Sequence, residues 1–174
     1  MADESAIAFA SLDRDRAVAA LFSAHHSRLV GLARLLVDDL QTAEDVVQDA
    51  FTSLYRRWPW LRDRNSALAY LQASVANGAR SNLRRRRTAR SVQLDQPDLM
   101  PSAEATVVQG EDRRSLIAGL ARLPLRQRQV LVLRYYLDQS EAEIAETLSI
   151  SRGSVKKHAS RALEALTLRL EAAQ

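Results

Sequence analysis

The sequence predicts an all-α protein of two small helical domains joined by a flexible acidic linker. Ala, Leu, Arg and Glu dominate, and aromatic residues make up only 5% of the 174 residues, which is the composition of helices rather than sheets. Apolar residues recur at helical spacing through most of the chain. An acidic, proline-containing segment without that spacing separates the two helical parts.

The distribution of charge divides the chain in the same way. Residues 1–16 carry two arginines and four acids, residues 17–90 twelve arginines and six acids, residues 91–112 five acids and no base, and residues 113–174 eleven bases and six acids. We therefore expect an N-terminal tail, a first domain, a linker and a second domain with these boundaries. Both domains are basic and suit a polyanion. Fully extended, the linker would reach roughly 70 Å, so the domains need not touch.

Cysteine usage and hydropathy narrow the range of functions. The chain has no cysteine, which excludes disulfides, thiolate zinc sites and cysteine nucleophiles. No apolar run approaches the roughly 20 residues that span a bilayer. There is also no metal-ligand cluster, phosphate-binding glycine loop or nucleophile paired with a base. We expect a cytoplasmic protein that needs no cofactor or metal and is not an enzyme.

Three helices are predicted in the first domain. The first covers residues 17–37. The second has the clearest buried stripe, made of Ala43, Val46, Val47, Ala50, Phe51 and Leu54. Thr42 is its expected N-cap, Glu44 and Asp45 its expected first-turn acids, and Pro59 its end.

The third helix is expected to start near Ser66. Its inward residues are Leu71, Val75 and Ala79. Gly78 in its middle indicates either a bend or a close approach of another group to the backbone. Trp58 and Trp60, which precede this helix, are interpreted as packing residues that close the first domain.

Three or four helices are predicted in the second domain. They correspond to the stretches RSLIAGLARL, RQRQVLVLRYYLD, SEAEIAETL and RGSVKKHASRALEALTLRLE. Ser140 followed by Glu143 is a capping box, which marks a helix start. Two helices joined by a tight turn over residues 148–151 form the helix-turn-helix pattern.

The last helix has an apolar and a polar side. On a wheel at about 100° per residue, the apolar side collects Val155, Ala159, Ala162, Leu163 and Leu166. Lys156 and Lys157, the only lysines of the chain, face away from it. They form either a solvated face or, as the helix-turn-helix setting favours, flexible charges that reach phosphates and guanine edges in a major groove.

Three motifs together resemble one family. The stretch LPLRQRQVLVLRYYLDQSEAEIAETLSISRGSVKKHASRALEAL is similar to region 4 of bacterial RNA polymerase sigma factors of the sigma-70 superfamily, extracytoplasmic-function type, sigma-E-like. AEDVVQDAFTSLYRRW resembles region 2.2 of that family, and AYLQASVANGARSNLRRRR resembles regions 2.3 and 2.4. The motifs stand in the family's order and cover nearly the whole chain.

The resemblance implies two partners, core RNA polymerase and promoter DNA, and leaves an anti-sigma protein open as a third. On core polymerase it implies contact with the clamp helices of the largest subunit and with the flap region. It assigns the clamp helices to Glu44, Asp45, Gln48 and Asp49. It assigns the non-template strand of the minus-ten element to Asn77, Arg80, Asn82, Arg84, Arg85, Arg86 and Arg87. It assigns the minus-thirty-five element to Arg152, Ser154, Lys156, Lys157, Ser160 and Arg161. A solvated acidic face and a nonspecific arginine-rich tail are the alternatives for the first two sets.

Two positions depart from the family's pattern. Ser81 stands where many members carry an acid, so base preference cannot be transferred. Ser149 stands where members usually have glycine, because the turn requires a positive φ, and serine costs about 1 kcal/mol there. The linker resembles the segment that threads toward the RNA exit path, and a plain tether is an equal alternative.

Two other functional classes compete with the sigma factor. A stand-alone regulator with a C-terminal helix-turn-helix would bind duplex DNA without polymerase, but it leaves the region 2 motifs unexplained. A nucleic-acid enzyme would need an active site that the sequence does not offer.

Overall fold

The described part of the chain consists of helices and the turns that join them, in agreement with the predicted all-α class. The structure, a computed structural model, describes residues 13–92 and 111–171, and it describes side chains there except at 83–92 and 111–113. Within these ranges the chain forms seven α-helices, two short 3-10 helices and no strand. The α-helices are α1 (Arg14–Arg34), α2 (Leu40–Arg57), α3 (Ala67–Val92), α4 (Glu111–Ala121), α5 (Leu125–Tyr135), α6 (Glu141–Leu148) and α7 (Arg152–Glu171).

The start of α2 differs from the prediction. Asp39, not Thr42, is the N-cap, and its carboxylate accepts from the Thr42 backbone N–H at 2.7 Å and from the Thr42 hydroxyl at 2.8 Å. Thr42 is thus buried at the third helical position, and Glu44 and Asp45 lie beyond the first turn. The two carboxylate oxygens of Asp39 accept from both Thr42 donors at once. The sequence pattern alone did not show which of the two residues is the N-cap.

The apolar stripe of α2 is buried as predicted, and it forms the centre of the first domain with α1 and α3. Leu71, Val75 and Ala79 of α3 are fully buried against it. A Cβ added to Gly78 would lie 3.1 Å from Val46 Cγ1. Of the two interpretations of Gly78, a close approach of α2 is therefore the one observed.

The two tryptophans do not share a role. Trp58 is 2% exposed and closes the first domain, whereas Trp60 is 78% exposed. Both belong to the 3-10 helix Trp58–Trp60, which Pro59 helps to form after α2 ends. Residues two apart in a 3-10 helix point to different sides, so only one of the two rings reaches the core. The prediction that Trp60 packs is wrong.

The helices on either side of the predicted linker, residues 91–112, extend into it. The helix α3 continues to Val92 and α4 begins at Glu111, so each enters the predicted linker by two residues. Residues 93–110 and the tail residues 1–12 lie outside the described part of the chain. The domain boundaries and the path of the linker stay predictions.

The helix-turn-helix is formed by α6 and α7. The capping box is present, since the Glu143 N–H donates to the Ser140 hydroxyl at 3.3 Å and the Ser140 N–H to the Glu143 carboxylate at 2.7 Å. The buried residues of α7 are Val155, Ala159, Ala162 and Leu166. Leu163 is 41% exposed, against expectation, because it lies at the edge of the apolar stripe rather than at its centre.

The turn between α6 and α7 contains the expected left-handed residue. Ser149 has φ 53° and ψ 51°, and its N–H closes the end of α6 on the Ala145 and Glu146 carbonyls. A residue with a Cβ is strained in this conformation and glycine is not.

We expect the Ser149→Gly substitution to raise the melting temperature by about 2 to 4 °C, which corresponds to about 1 kcal/mol for a chain of this size. Differential scanning calorimetry measures the effect. Ser151→Gly is the contrasting control and should lower the melting temperature, because Ser151 lacks a positive φ and loses a hydroxyl that accepts from the Ser154 N–H. A lower melting temperature for Ser149→Gly would contradict the assignment of strain to the turn.

The two domains are packed against each other, although a long linker would allow them to separate. One buried cluster includes Leu71 and Val75 of α3 together with Val130, Leu133 and Ile144 of the second domain. The contact arises because α5 buries six consecutive residues, 128–133, and so packs on more than one side, while α6 adds Ile144 and Leu148 and α3 supplies an apolar face.

Candidate nucleic-acid interface

The recognition face of α7 is the strongest candidate for contact with DNA. We use this name for Arg152, Ser154, Lys156, Lys157, Ser160 and Arg161. All of these are exposed except Ser154, which is half-buried. The hydroxyl of Ser151 lies 2.9 Å from that of Ser154 and also accepts from the Ser154 N–H, which fixes the first turn of α7. The second helix of the motif thus presents four cations to solvent in the arrangement that suits a major groove.

One ion pair connects the recognition face to α6. Glu141 accepts from Arg134 Nη2 at 2.9 Å, and Lys156 Nζ lies 3.8 Å from its other carboxylate oxygen. The Lys156 side chain is 69% exposed, so its ion pair with Glu141 is weak. Lys156 can therefore leave Glu141 and bind a phosphate instead.

His158 lies in a region of positive electrostatic potential. Burial lowers the pKa of its imidazole, and the charges of Arg126, Arg161 and Lys157 lower it further. Its Nδ1 is enclosed without a hydrogen-bond partner among the described residues. Three cations gathered around this imidazole indicate a surface that favours an anion.

The predicted minus-ten residues lie along one helix, α3. Asn77 and Arg80 are exposed one turn apart, and Asn82 is half-buried. The helix backbone continues through Arg84, Arg85, Arg86 and Arg87, whose side chains lie outside the described residues. The structure therefore brings Asn77 and Arg80 together and does not test the four arginines.

Asn77 is not free in this structure. Its Nδ2 donates to the backbone carbonyl of Thr147, at the end of α6, at 3.1 Å. Beside it, Arg80 faces Arg126 of α5, and after burial this repulsion is the second cause of the lowered pKa of Arg126. The predicted minus-ten surface is thus in direct contact with the second domain.

The acidic face of α2 comprises Glu44, Asp45, Gln48 and Asp49. Asp45, Gln48 and Asp49 are exposed, and Glu44 is half-buried. Gln41 Nε2 donates to the Asp45 carboxylate at 3.0 Å, one turn earlier. The face lies outside the buried stripe, as predicted, and is open to a protein partner.

Sequence reasoning missed two polar residues that the structure buries. Arg128 is 6% exposed and Gln129 is fully buried, and both join the two domains. Their partners lie 92 and 53 residues away in sequence. The one sequence signal for their burial is that Arg128 and Gln129 directly precede the apolar run VLVL.

The described ranges, 13–92 and 111–171, contain no group of three or more His, Asp or Glu side chains arranged to hold a metal ion. None of the helices described there is long and apolar enough to cross a membrane.

Comparisons with known proteins assign a family to both helical domains. Residues 21–89 match the family model of sigma-70 region 2, and residues 113–166 match that of sigma-70 region 4. The chain is 37% identical over 138 residues to the RNA polymerase sigma-E factor of Streptomyces coelicolor, covering 79% of this chain and 77% of that one. It is 32% identical over 142 residues to the ECF RNA polymerase sigma factor SigM of Mycobacterium tuberculosis, covering 82% and 71%.

A solved structure shares the fold of both domains. The sigma factor RpoE of Bartonella quintana, crystallised with the anti-sigma factor NepR, superposes with a TM-score of 0.67 at 20% identity, covering 88% of this chain and 96% of that one. Matched regions 2 and 4 in one chain favour a sigma factor over a stand-alone regulator. The chain belongs to the sigma-70 family of RNA polymerase sigma factors, in its extracytoplasmic-function group, and its function is to direct core polymerase to promoters and assist their melting.

Proposed function

We propose that the recognition face of α7 reads the minus-thirty-five element of a promoter. The observation that carries this proposal is the exposure of Lys157 and Arg161 on the second helix of a helix-turn-helix, beside the cationic cluster around His158. Charged side chains at the start of such a helix reach base edges, and those farther along reach phosphates.

Asn77, Arg80 and Asn82, with the arginines that follow, would hold the separated non-template strand of the minus-ten element. Amide groups pair with base edges and guanidinium groups bind phosphates. Unstacking a base costs a few kcal/mol per step, and binding the exposed strand offsets that cost. The proposal requires Asn77 to leave the Thr147 carbonyl, which is 3.1 Å away in the present arrangement.

The acidic face of α2 would dock on basic residues of the clamp helices of the largest polymerase subunit. Three of its four side chains are open to solvent, and the helix that carries them is fixed by a buried apolar stripe. A rigid helix with an exposed charged row loses little conformational entropy on binding. The flap region of polymerase would meet the second domain.

We further infer that the chain acts in the cytoplasm, where polymerase is, and that it does no covalent chemistry itself. An anti-sigma protein is a reasonable partner, because the RpoE structure from Bartonella quintana contains one. The acidic segment between the domains would either thread toward the RNA exit path or serve as a tether.

Transcription in vitro tests the proposed function. The full chain is added to sigma-free core polymerase with a fragmented genomic library, and the starts of the transcripts are sequenced. We expect starts that cluster behind a common two-part motif. Absence of transcripts, together with a shift of specific duplex DNA by the chain alone, would favour the regulator instead.

A further inference from the structure

A carboxylate lies at the edge of the recognition face. Glu141 is the first residue of α6, and its side chain is 35% exposed. The cations of the recognition face, Arg152, Lys156, Lys157 and Arg161, all belong to α7. The wheel of α7 does not predict an acid beside them, because Glu141 belongs to the other helix of the motif. An anion at this place is unfavourable for contacts with phosphates, so its presence needs an explanation.

Arg134 fixes this carboxylate. Arg134 stands in the last turn of α5, and its Nη2 donates to Glu141 Oε1 at 2.9 Å. The two side chains are 26% and 35% exposed, so the pair is partly shielded from solvent. A cation at the end of one helix and an anion at the start of the next also suit both helix dipoles. The Glu141 carboxylate is therefore held in place rather than free to turn away from a ligand.

The other oxygen of the same carboxylate faces the recognition helix. Glu141 Oε2 lies 3.8 Å from Lys156 Nζ. Glu143, the second acid in the first turn of α6, is used by the capping box with Ser140. The Lys156 side chain is 69% exposed, so it is open to DNA while it lies beside Glu141. Glu141 is thus the acid that the structure places against a cation of the recognition face.

The charge of a ligand decides whether this arrangement favours it. A phosphate that approaches Lys156 also approaches the Glu141 carboxylate, and the repulsion between the two anions offsets part of the attraction by the ammonium group. A guanine edge is neutral and presents two acceptors, N7 and O6. Because an ammonium group has three donors, Lys156 can donate to Glu141 and to such an edge together. The carboxylate therefore penalises contacts that every sequence offers more than contacts that depend on the sequence.

We propose that Glu141 is a positioning residue that determines specificity: held by Arg134, it directs Lys156 away from phosphates and toward neutral base edges. This inference rests on the proposed reading of duplex DNA by the recognition face, whereas the contact between Glu141 and Lys156 does not. The ion pair is weak, so its effect is a bias between ligands rather than an exclusion. Removing the charge of Glu141 strengthens phosphate contacts on all sequences and so lowers the preference for the correct one.

Competitive transcription with core polymerase and the full chain tests the inference. Two promoters are present in one tube, one with the minus-thirty-five element found from the genomic library and one with that element scrambled, and their transcripts differ in length. We expect Glu141→Gln to lower the ratio of correct to scrambled transcript about two- to fivefold, the effect of one partly exposed ion pair. Glutamine keeps an oxygen that accepts from Arg134 Nη2, so helix content by circular dichroism should be unchanged.

Further variants show whether the effect passes through Lys156. Glu146→Gln removes the same charge from an exposed position about 140° around α6 from Glu141, and it should leave the ratio unchanged. Lys156→Ala should lower the ratio by itself, and adding Glu141→Gln to it should lower the ratio no further. An equal loss for Glu146→Gln, or the same loss from Glu141→Gln with and without Lys156, would overturn the inference.

The outcomes separate this inference from the proposed function. A lowered ratio in Lys156→Ala with an unchanged ratio in Glu141→Gln would overturn the role of Glu141 and leave the reading of the minus-thirty-five element standing. An unchanged ratio in Lys156→Ala would contradict the proposed role of Lys156 in that reading, and the inference about Glu141 would fail with it.

The contact itself can be measured without DNA. Because Lys156 and Lys157 are the only lysines of the chain, a sample labelled with 13C at the lysine ε-carbon gives two lysine signals in NMR, and Lys156→Arg assigns them. We expect Glu141→Gln to shift the Lys156 signal more than that of Lys157, which lies about 100° further around α7. Equal shifts of the two signals, or no shift, would overturn the contact whether or not the chain acts as a sigma factor.

Discussion

Replacing Lys157 and Arg161 together by alanine is expected to reduce promoter-dependent transcription about 30-fold or more. Each side chain that contacts a base edge contributes about 1 to 3 kcal/mol of binding, and a phosphate contact adds to the salt dependence of binding. Both residues are exposed, so folding should be unaffected. The measurement is run-off transcription with core polymerase on a promoter identified from the genomic library.

The control for this variant lies on the same helix. Arg169→Ala removes one exposed positive charge at the far end of α7, beyond the recognition face, and should change transcription little. Equal losses for Arg169→Ala and the double variant would mean that net charge, not the recognition face, is responsible. A full loss of transcription with normal binding to duplex DNA would also contradict the assignment.

Reversing the acidic face by Asp45→Arg and Asp49→Arg is expected to weaken binding to core polymerase by at least about 100-fold. Like charges placed opposite basic residues of a partner cost several kcal/mol, and the two positions are exposed on a helix whose buried stripe is untouched. Fluorescence anisotropy of the labelled chain against sigma-free core polymerase measures the affinity. The melting temperature should stay within a few degrees.

A matched charge reversal checks this result. Glu146→Arg and Glu164→Arg change the net charge by the same amount at exposed positions of the second domain. We expect this variant to bind core polymerase nearly as well as the unsubstituted chain. If both pairs weaken binding equally, long-range repulsion rather than docking of α2 is the cause.

Local patterns in the sequence predicted most helices and several of their ends. The spacing of Val46, Val47 and Ala50 identified α2, and Ser140 with Glu143 marked the start of α6, because both signals depend on residues within one or two turns. The positive φ of Ser149 was also predicted, since the turn between two helices of this motif imposes it. The wheel of α7 placed Lys156 and Lys157 away from the apolar side, with Leu163 as the one misplaced apolar residue, and the family resemblance assigned the full recognition face.

Competition between neighbouring candidates caused the local errors. Asp39 and Thr42 are both good N-caps three residues apart, and the choice depends on where the preceding turn places the backbone. Trp58 and Trp60 have the same chemistry, and only the direction of the 3-10 turn decides which ring is buried.

The sequence by itself determined the helices, the helix-turn-helix and the family, because these rest on periodicity, capping and motifs within short stretches. The tertiary structure alone decided that the two domains close on each other. It also decided that Gln129 is buried, that Tyr136 lies on Gly31 and that Asn77 is held by Thr147. Those contacts join residues 53 to 108 positions apart in sequence. The sequence around one residue of each pair contains no signal for the other residue. Whether the two come into contact depends on how the two separately predicted domains pack.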